Sequence, residues 1–502
     1  MFELDHIFRY TQNSPLLFSQ YLFLFLFSVM FVGFTLVHKN LRLRNFYLLL
    51  FSLFFYYKSG GLYFSLLIFS TLVDYGTGFG IYRAKKKAFK KFFLVLSLLS
   101  NLGLLAFFKY SYYFVDLVNQ LFATDFKAVN FLAVLSNDFF GSQFDIFDII
   151  LPVGISFYTF QTLSYSIDIY RNKIKPCDNI FDFAFFVSFF PQLVAGPIVR
   201  AADFLPQIKK PYNVSQKEMG IGVFLIITGL FKKVFISDYI SINFVDRVFD
   251  NPELYSGFMN LMGAYGYSIQ IYCDFSGYSD MAIGLAALMG FKLPINFNSP
   301  YKAQNITDFW RRWHISLSTW LRDYLYISMG GNRRGKIRMY FNLMMTMLLG
   351  GLWHGAATKF IIWGGLHGVA LAFHKLWMKY VKISWGGFGK VLAGLLTFHF
   401  VVFCWLYFRA ADVPTVKLML QSIAYDFNWA GIPDRFGGYW KVFAVIAFGF
   451  VIHLIPSKWK DELKWWFAAT PLYVKVIAFV LVIFVTYQAT SAEIQPFIYF
   501  QF

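Results

Sequence analysis

Phe18-Ser-Gln-Tyr-Leu-Phe-Leu-Phe-Leu-Phe-Ser-Val-Met-Phe-Val-Gly-Phe-Thr-Leu-Val37 carries no charge, and His38-Lys-Asn-Leu-Arg-Leu-Arg44 follows it at once. A helix of that length reaches about 30 Å, the thickness of a bilayer's hydrocarbon core. An apolar run closed by basic residues reads as a membrane span whose basic end stays in the cytoplasm. The pattern recurs from end to end. Spans are expected at 18–37, 45–57, 61–82, 92–108, 146–167, 219–231, 259–289, 339–356, 360–377, 391–408, 442–455 and 474–488. That makes about 10 to 12 crossings, and the fold class is an all-α polytopic membrane protein. No repeat of fixed period divides it, so 1–502 is read as one membrane-embedded domain.

Composition agrees. The 502 residues are 58% hydrophobic and only 14% charged, where a soluble chain carries roughly 25%. The net charge of +18 lies in short clusters between apolar runs, as positive-inside loops do, so nucleic acid is not an expected partner. Cys177, Cys273 and Cys404 are far apart and read as free or buried thiols, with no disulfide or metal framework. The first fifteen residues lack a basic leader segment, so the 18–37 run is expected to be retained. The clusters at 38–44 and 83–91 both fit the cytoplasm if the N-terminus is outside. The weakly charged stretch 109–145 then lies outside.

Two segments do not read as simple spans. Pro191, Gly196 and Pro197 interrupt 181–200. Broken backbone at membrane depth needs protein or water around it, so a re-entrant element is expected, with a Pro-kinked crossing as the alternative. The stretch 296–338 is rich in Arg and aromatic residues and is expected to lie as amphipathic helices on the cytoplasmic interface.

Ionisable groups at bilayer depth are costly and mark function. His314, in Asp308-Phe-Trp-Arg-Arg-Trp-His-Ile-Ser-Leu-Ser318, and His354, in Gly350-Gly-Leu-Trp-His-Gly355, share a Trp-His context. Acyl transfer to a hydroxyl needs a base in a water-poor site, and a neutral imidazole suits it. His354 is the candidate base, and His314 the group that polarises the carbonyl or orients the acceptor. A core histidine bonded to a backbone carbonyl is the plainer alternative for each. His367 and His374 share a helical face and read as packing and an interfacial cap rather than a metal pair. His399 and His453 read as core residues, His6 and His38 as surface ones. Asp274 and Asp280 must be paired or face water. They read either as lining a polar tunnel or as an ion-pair network with Arg311 or Arg312. Gly277, Gly284 and Gly290 allow close helix approach. No dinucleotide, ATP-binding or nucleophile-elbow motif is present.

In these phrases the chain resembles the membrane-bound O-acyltransferase (MBOAT) family, in its bacterial alginate O-acetyltransferase branch. Leu151-Pro-Val-Gly-Ile-Ser-Phe-Tyr-Thr-Phe-Gln161, Phe190-Pro-Gln-Leu-Val-Ala-Gly-Pro-Ile-Val-Arg200, Asp274-Phe-Ser-Gly-Tyr-Ser-Asp280 and Trp320-Leu-Arg-Asp-Tyr324 join the two histidine motifs. Together they make 150–410 the motif-bearing core. The resemblance implies helices around a through-membrane tunnel, with a cytosolic mouth for an acyl thioester such as acetyl-CoA and no permanently bound cofactor. It implies His354 as the catalytic residue, with His314 also involved. Trp310, Arg311, Trp313, Asp323, Trp353, Asp274 and Asp280 are the expected tunnel or donor-binding residues, with no metal. It further implies O-acetylation of a cell-envelope polysaccharide, a bacterial inner-membrane location and a periplasmic or surface partner of the SGNH type. D-alanyl transfer to teichoic acid and, in another class, a transporter or flippase of acylated or lipid-linked cargo are the alternatives. A scaffold without chemistry leaves the cost of His314, Asp274 and Asp280 unexplained.

Overall fold

Apolar side chains surround helix α1 (Tyr21–Val37) on all sides, so no face of it is suited to water. α2 (Leu41–Gly60) follows, capped by Asn40, whose Oδ1 accepts the amide protons of Arg42 and Leu43 at 3.1 and 3.2 Å. α3 (Phe64–Arg83) and the long α4 (Lys87–Phe122) come next. These coordinates are a computed structural model that describes residues 8–11, 15–141, 143–194, 196–381, 386–489 and 498. The expectations for His6 and for the first seven residues lie outside that set.

α5 (Ile155–Tyr170) starts later than the span expected at 146–167, because residues 146–154 are not helical. Pro152 and Gly154, the latter at φ 75°, hold the chain in a turn before the first helical residue. The broken segment is resolved as a helix over Ile180–Ser188, one turn over Phe190–Leu193, and an extended stretch into a helix at Ala201–Ile208. It is not a kinked crossing, and Phe185, Phe189, Phe190 and Leu193 are all buried. Arg44, in the cluster expected on the cytoplasmic side, is buried against protein. It donates to the carbonyls of Ile208 and Lys210 at 2.7 and 2.9 Å, at the end of that last helix.

α6 (Gln216–Leu230) opens with a Ser215–Glu218 capping box and packs against the central α7 (Gly257–Leu288). The two backbones come close at paired glycines: a Cβ at Gly229 would stand 2.5 Å from the Gly277 carbonyl, and one at Gly284 would stand 2.5 Å from that of Gly222. Gly290 has a different task from the expected one, ending the turn after α7 at φ 84°. Beyond α6 the chain winds through π-helical stretches at Phe231–Asp238 and Ser241–Val245. There the neighbours are i and i+5 (Lys233 with Asp238, Ser241 with Asp246).

α8 (Ile306–Arg312), α9 (Ile315–Trp320), α10 (Lys336–His354), α11 (Thr358–Tyr380), α12 (Gly387–Arg409), α13 (Ile432–Leu454) and α14 (Leu472–Ala489) follow, and further helices span Phe131–Phe140, Val413–Tyr425 and Ser457–Ala469. Among the described residues six helical stretches are long and apolar enough to cross a membrane: Leu41–Arg83, Lys87–Phe122, Gln216–Asp250, Gly387–Arg409, Trp429–Leu454 and Leu472–Ala489. α7, α10 and α11 are not among them. Their polar residues, such as Gln270, Asn342 and His367, are buried against protein.

Asp274 and Asp280 find partners on the π-helical stretch, not in Arg311 or Arg312. Lys233 Nζ lies 2.5 Å from Asp274 and 2.8 Å from Asp238, and Lys232 Nζ lies 2.5 Å from Asp280. Lys233 is 2% exposed, whereas the Lys232 side chain is 22% exposed. Lys233→Met strands two carboxylates and should cost roughly 3–5 kcal/mol, and Lys232→Met should cost less. Thermal melts of the two variants in detergent check the order, and equal melting temperatures would contradict it.

Candidate active site

α10 starts at Lys336 among the exposed Arg333, Arg334 and Arg338 and ends at His354, which places that residue about 27 Å from the basic face. His354 is buried. Its ring meets Trp353 at 4.9 Å, Trp363 at 5.0 Å and Phe408 at 5.1 Å. A Cβ at Gly355 would collide with the Phe360 ring, so only hydrogen fits behind the histidine. Phe160 of α5 braces Trp353 from the far side, stacking on it at 5.3 Å and on Trp320 at 4.0 Å.

His314 reaches the same indole: its ring lies 6.2 Å from Trp353 and 4.6 Å from Phe275. It occupies the turn between α8 and α9 at φ 43° and ψ 56°. That left-handed geometry costs a residue with a β-carbon roughly 1–2 kcal/mol. A buried chain of bonds holds it there. The Ile198 amide donates to Ser316 Oγ at 3.0 Å, and the Ser316 hydroxyl donates to Asn296 Oδ1 at 2.9 Å. His314 Nδ1 donates to the same oxygen at 3.1 Å. Asn296 Nδ2 is anchored to Ser279 Oγ at 3.2 Å. The carbonyl acceptor assigns the ring proton to Nδ1 and makes Nε2 the basic nitrogen.

The 296–338 stretch therefore does not simply lie on an interface. Arg311, Arg322, Arg333, Arg334, Lys336 and Arg338 are exposed, but Trp313, His314, Leu317 and Trp320 are buried. Two short helices joined by a tight turn put that apolar side into the bundle. Trp313 packs against Trp405 at 4.9 Å and Phe297 at 5.1 Å. Trp310 faces His367 at 5.1 Å and Trp363 at 5.8 Å, one ring further from His354. His374 is bonded to Thr307 at 2.8 Å. Of the remaining candidates, Arg311 stays at the surface, and Asp274 and Asp280 belong to the lysine network. Phe275, the neighbour of Asp274, is the α7 residue that touches the histidine centre.

Cavities open among these helices. One of about 70 Å³ is lined by Lys109, Gly154, Ser156, Phe157 and Trp353. An apolar groove of about 600 Å³, rimmed by Gln304, His374 and Lys390, opens between α8, α11 and α12. Near the basic face, Arg200, Arg171 and Lys173 surround the Tyr324 ring at 5.2, 5.4 and 5.8 Å. Asp323 binds Arg322 at 2.7 Å and Arg200 at 2.8 Å. Burial pushes the Asp323 carboxyl up, but the Arg322 and Arg200 guanidiniums outweigh it and hold it below the ordinary carboxylate range.

A helical body of this kind, with two imidazoles set against one buried indole, defines a polytopic membrane protein with an internal histidine centre. Its relatives name the chemistry. The model of the membrane-bound O-acyltransferase family matches residues 178–411. A peptidoglycan O-acetyltransferase of Helicobacter pylori is 40% identical over 81% of this chain and 80% of its own length. A Pseudomonas aeruginosa protein named "Probable alginate O-acetylase AlgI" is 40% identical over 82% and 76%. The teichoic acid D-alanyltransferase of Bacillus subtilis is 34% identical over 50% and 67%. The chain belongs to the membrane-bound O-acyltransferase family and is an O-acyltransferase.

Asn296→Leu should lower acyl transfer at least about tenfold, a loss of roughly 1.4 kcal/mol of barrier stabilisation, by releasing the His314 ring, while membrane abundance changes little. Ester formation per unit of folded protein measures it. The Asp323 pairs stabilise the fold fully above the unfolded carboxyl value of about 3.9. That contribution is lost as pH falls through the lower folded value. Melting curves taken downward from pH 6 should show the loss in the wild type and not in Asp323→Asn.

Proposed function

We propose that this protein O-acetylates a cell-envelope polysaccharide, drawing the acetyl group from a thioester donor on the cytosolic side of a bacterial inner membrane. The observation that carries this reading is the pair of imidazoles against Trp353, deep in a low-dielectric interior. In the step we envisage, an imidazole nitrogen of His354 accepts the proton of the acceptor hydroxyl as its oxygen attacks the thioester carbonyl carbon. The C–S bond breaks, and the departing sulfur takes the proton from the imidazolium. His314, with its proton on Nδ1, orients the acceptor through Nε2. The aromatic wall around the rings would limit the water that reaches the reacting carbonyl.

Arg171, Lys173, Arg200 and Arg322 would meet an anionic donor such as acetyl-CoA, because guanidinium and ammonium groups match phosphate. Trp310, Trp313 and Trp353 would form the wall along which the acyl arm passes. Asp323 would act by holding Arg200 and Arg322. Asp274 and Asp280 would act only through the helices that they tie together. With its basic segments in the cytoplasm, the N-terminus would lie outside. A partner of the SGNH type on the outer side would complete delivery to sugar hydroxyls. The D-alanyltransferase relative keeps an aminoacyl donor as the second reading.

The test is a deletion strain complemented with the wild type or His354→Ala at equal membrane abundance, with ester-linked acetate on envelope glycans measured by mass. We expect the variant to lose at least about 100-fold, the scale on which general-base catalysis acts. Wild-type acetate in the His354→Ala strain would overturn the reading, and loss of ester-linked D-alanine instead of acetate would move the donor to an aminoacyl thioester.

A further inference from the structure

Helix α10 ends inside the protein, and its last carbonyls are met by a helix from far earlier in the chain. Lys109 Nζ, on α4, donates to the carbonyl oxygens of Trp353 at 2.7 Å and His354 at 2.9 Å. The adjacent Tyr110 hydroxyl donates to that of Leu352 at 2.8 Å. The final carbonyls of any helix have no partner within it, and that end carries about half a negative charge. A common solution is a left-handed glycine that folds the chain back over them. Gly355 does not do this, since it is extended at φ −166° and ψ 153°. The ammonium of Lys109 takes that place.

The same Nζ stands 5.9 Å from the centre of the Trp353 ring, the indole that both His314 and His354 touch. With Gly154, Ser156 and Trp353 it also lines the cavity of about 70 Å³, which has room for several waters. α4 and α10 both leave the basic clusters and meet at this depth, so the cavity lies beyond the histidines as seen from the basic face. One side chain therefore contacts the backbone of His354, the indole beside it and the space beyond it.

We propose that Lys109 is a positioning residue for acyl transfer: its clamp on the end of α10 and on Trp353 sets where the His354 ring stands. The inference rests on His354 acting as the base. An apolar group at 109 would leave the last two carbonyls without a fixed donor, with only waters of the cavity to meet them. The last turn of α10 would then shift to find one. A displacement of 1 Å at a reacting group costs about 100-fold in rate. A cap that only stabilises would change how much protein folds, whereas a clamp changes what each folded molecule does.

The experiment compares wild type, His354→Ala, Lys109→Met and Lys109→Arg in the deletion strain. Ester-linked glycan acetate is divided by the amount of monodisperse protein recovered from the same membranes. We expect Lys109→Met to lose at least about tenfold per folded molecule, and Lys109→Arg, which can donate to both carbonyls, to stay within about threefold of wild type. If Lys109→Met yields no folded protein, Lys109→Ser, whose hydroxyl is too short to reach either carbonyl, is read by the same criterion. Wild-type acetate per folded molecule in Lys109→Met or Lys109→Ser, with His354→Ala inactive, overturns the role of Lys109 and leaves the function standing. A loss in Lys109→Met that Lys109→Arg does not recover also overturns it. Full acetylation in His354→Ala overturns the functional reading itself.

Discussion

Hydrocarbon and packed aromatic rings offer a polar group nothing to bond with, so each one inside this bundle must be met by another part of the chain. That constraint organises the molecule. Lys233 is held between Asp238 and Asp274. Asp74, fully buried, accepts hydrogen bonds from Ser97, Asn101 and Ser166 on two other helices. His453 accepts the Tyr301 amide at 3.1 Å. Each arrangement fixes the rotation and depth of a helix more sharply than apolar packing alone, because a missed partner costs more than a missed methyl contact.

The histidine centre is the same rule applied twice. His314 is kept in a strained backbone conformation by one asparagine oxygen that serves both it and Ser316. His354 is the end of a helix whose carbonyls are satisfied from α4. Trp353 lies between the two imidazoles, and Phe160 supports it. Neither histidine is held by its own motif. The family match covers 178–411 and so includes both rings and Asn296, but Lys109, Tyr110 and Phe160 precede it. The segment before residue 178 finishes the site.

Much of this was legible in the chain. Apolar runs of bilayer length and the basic clusters between them gave the helical membrane body, because the length of a span is set by hydrocarbon thickness. The Trp-His phrases marked the two histidines, because an imidazole in apolar sequence is rarely accidental. Other readings failed where a local pattern had two outcomes. Residues 146–154 are apolar enough for a helix, yet Pro152 and Gly154 hold them in turns. The Arg-rich 296–338 stretch looked like a surface element, and its buried Trp313–His314 side could not be told from its charges.

Composition and spacing by themselves determined that this chain lives in a membrane and that it is helical, and they singled out His314 and His354 as candidates. Only the tertiary structure decided that the two rings meet at Trp353, that Asp274 and Asp280 answer Lys233 and Lys232, and that Asn296 and Lys109 hold the centre in place. A sequence records which residues are costly to bury. It does not record which distant residue bears that cost, because partners are chosen by helix rotation and depth, and these are settled only when the whole bundle packs.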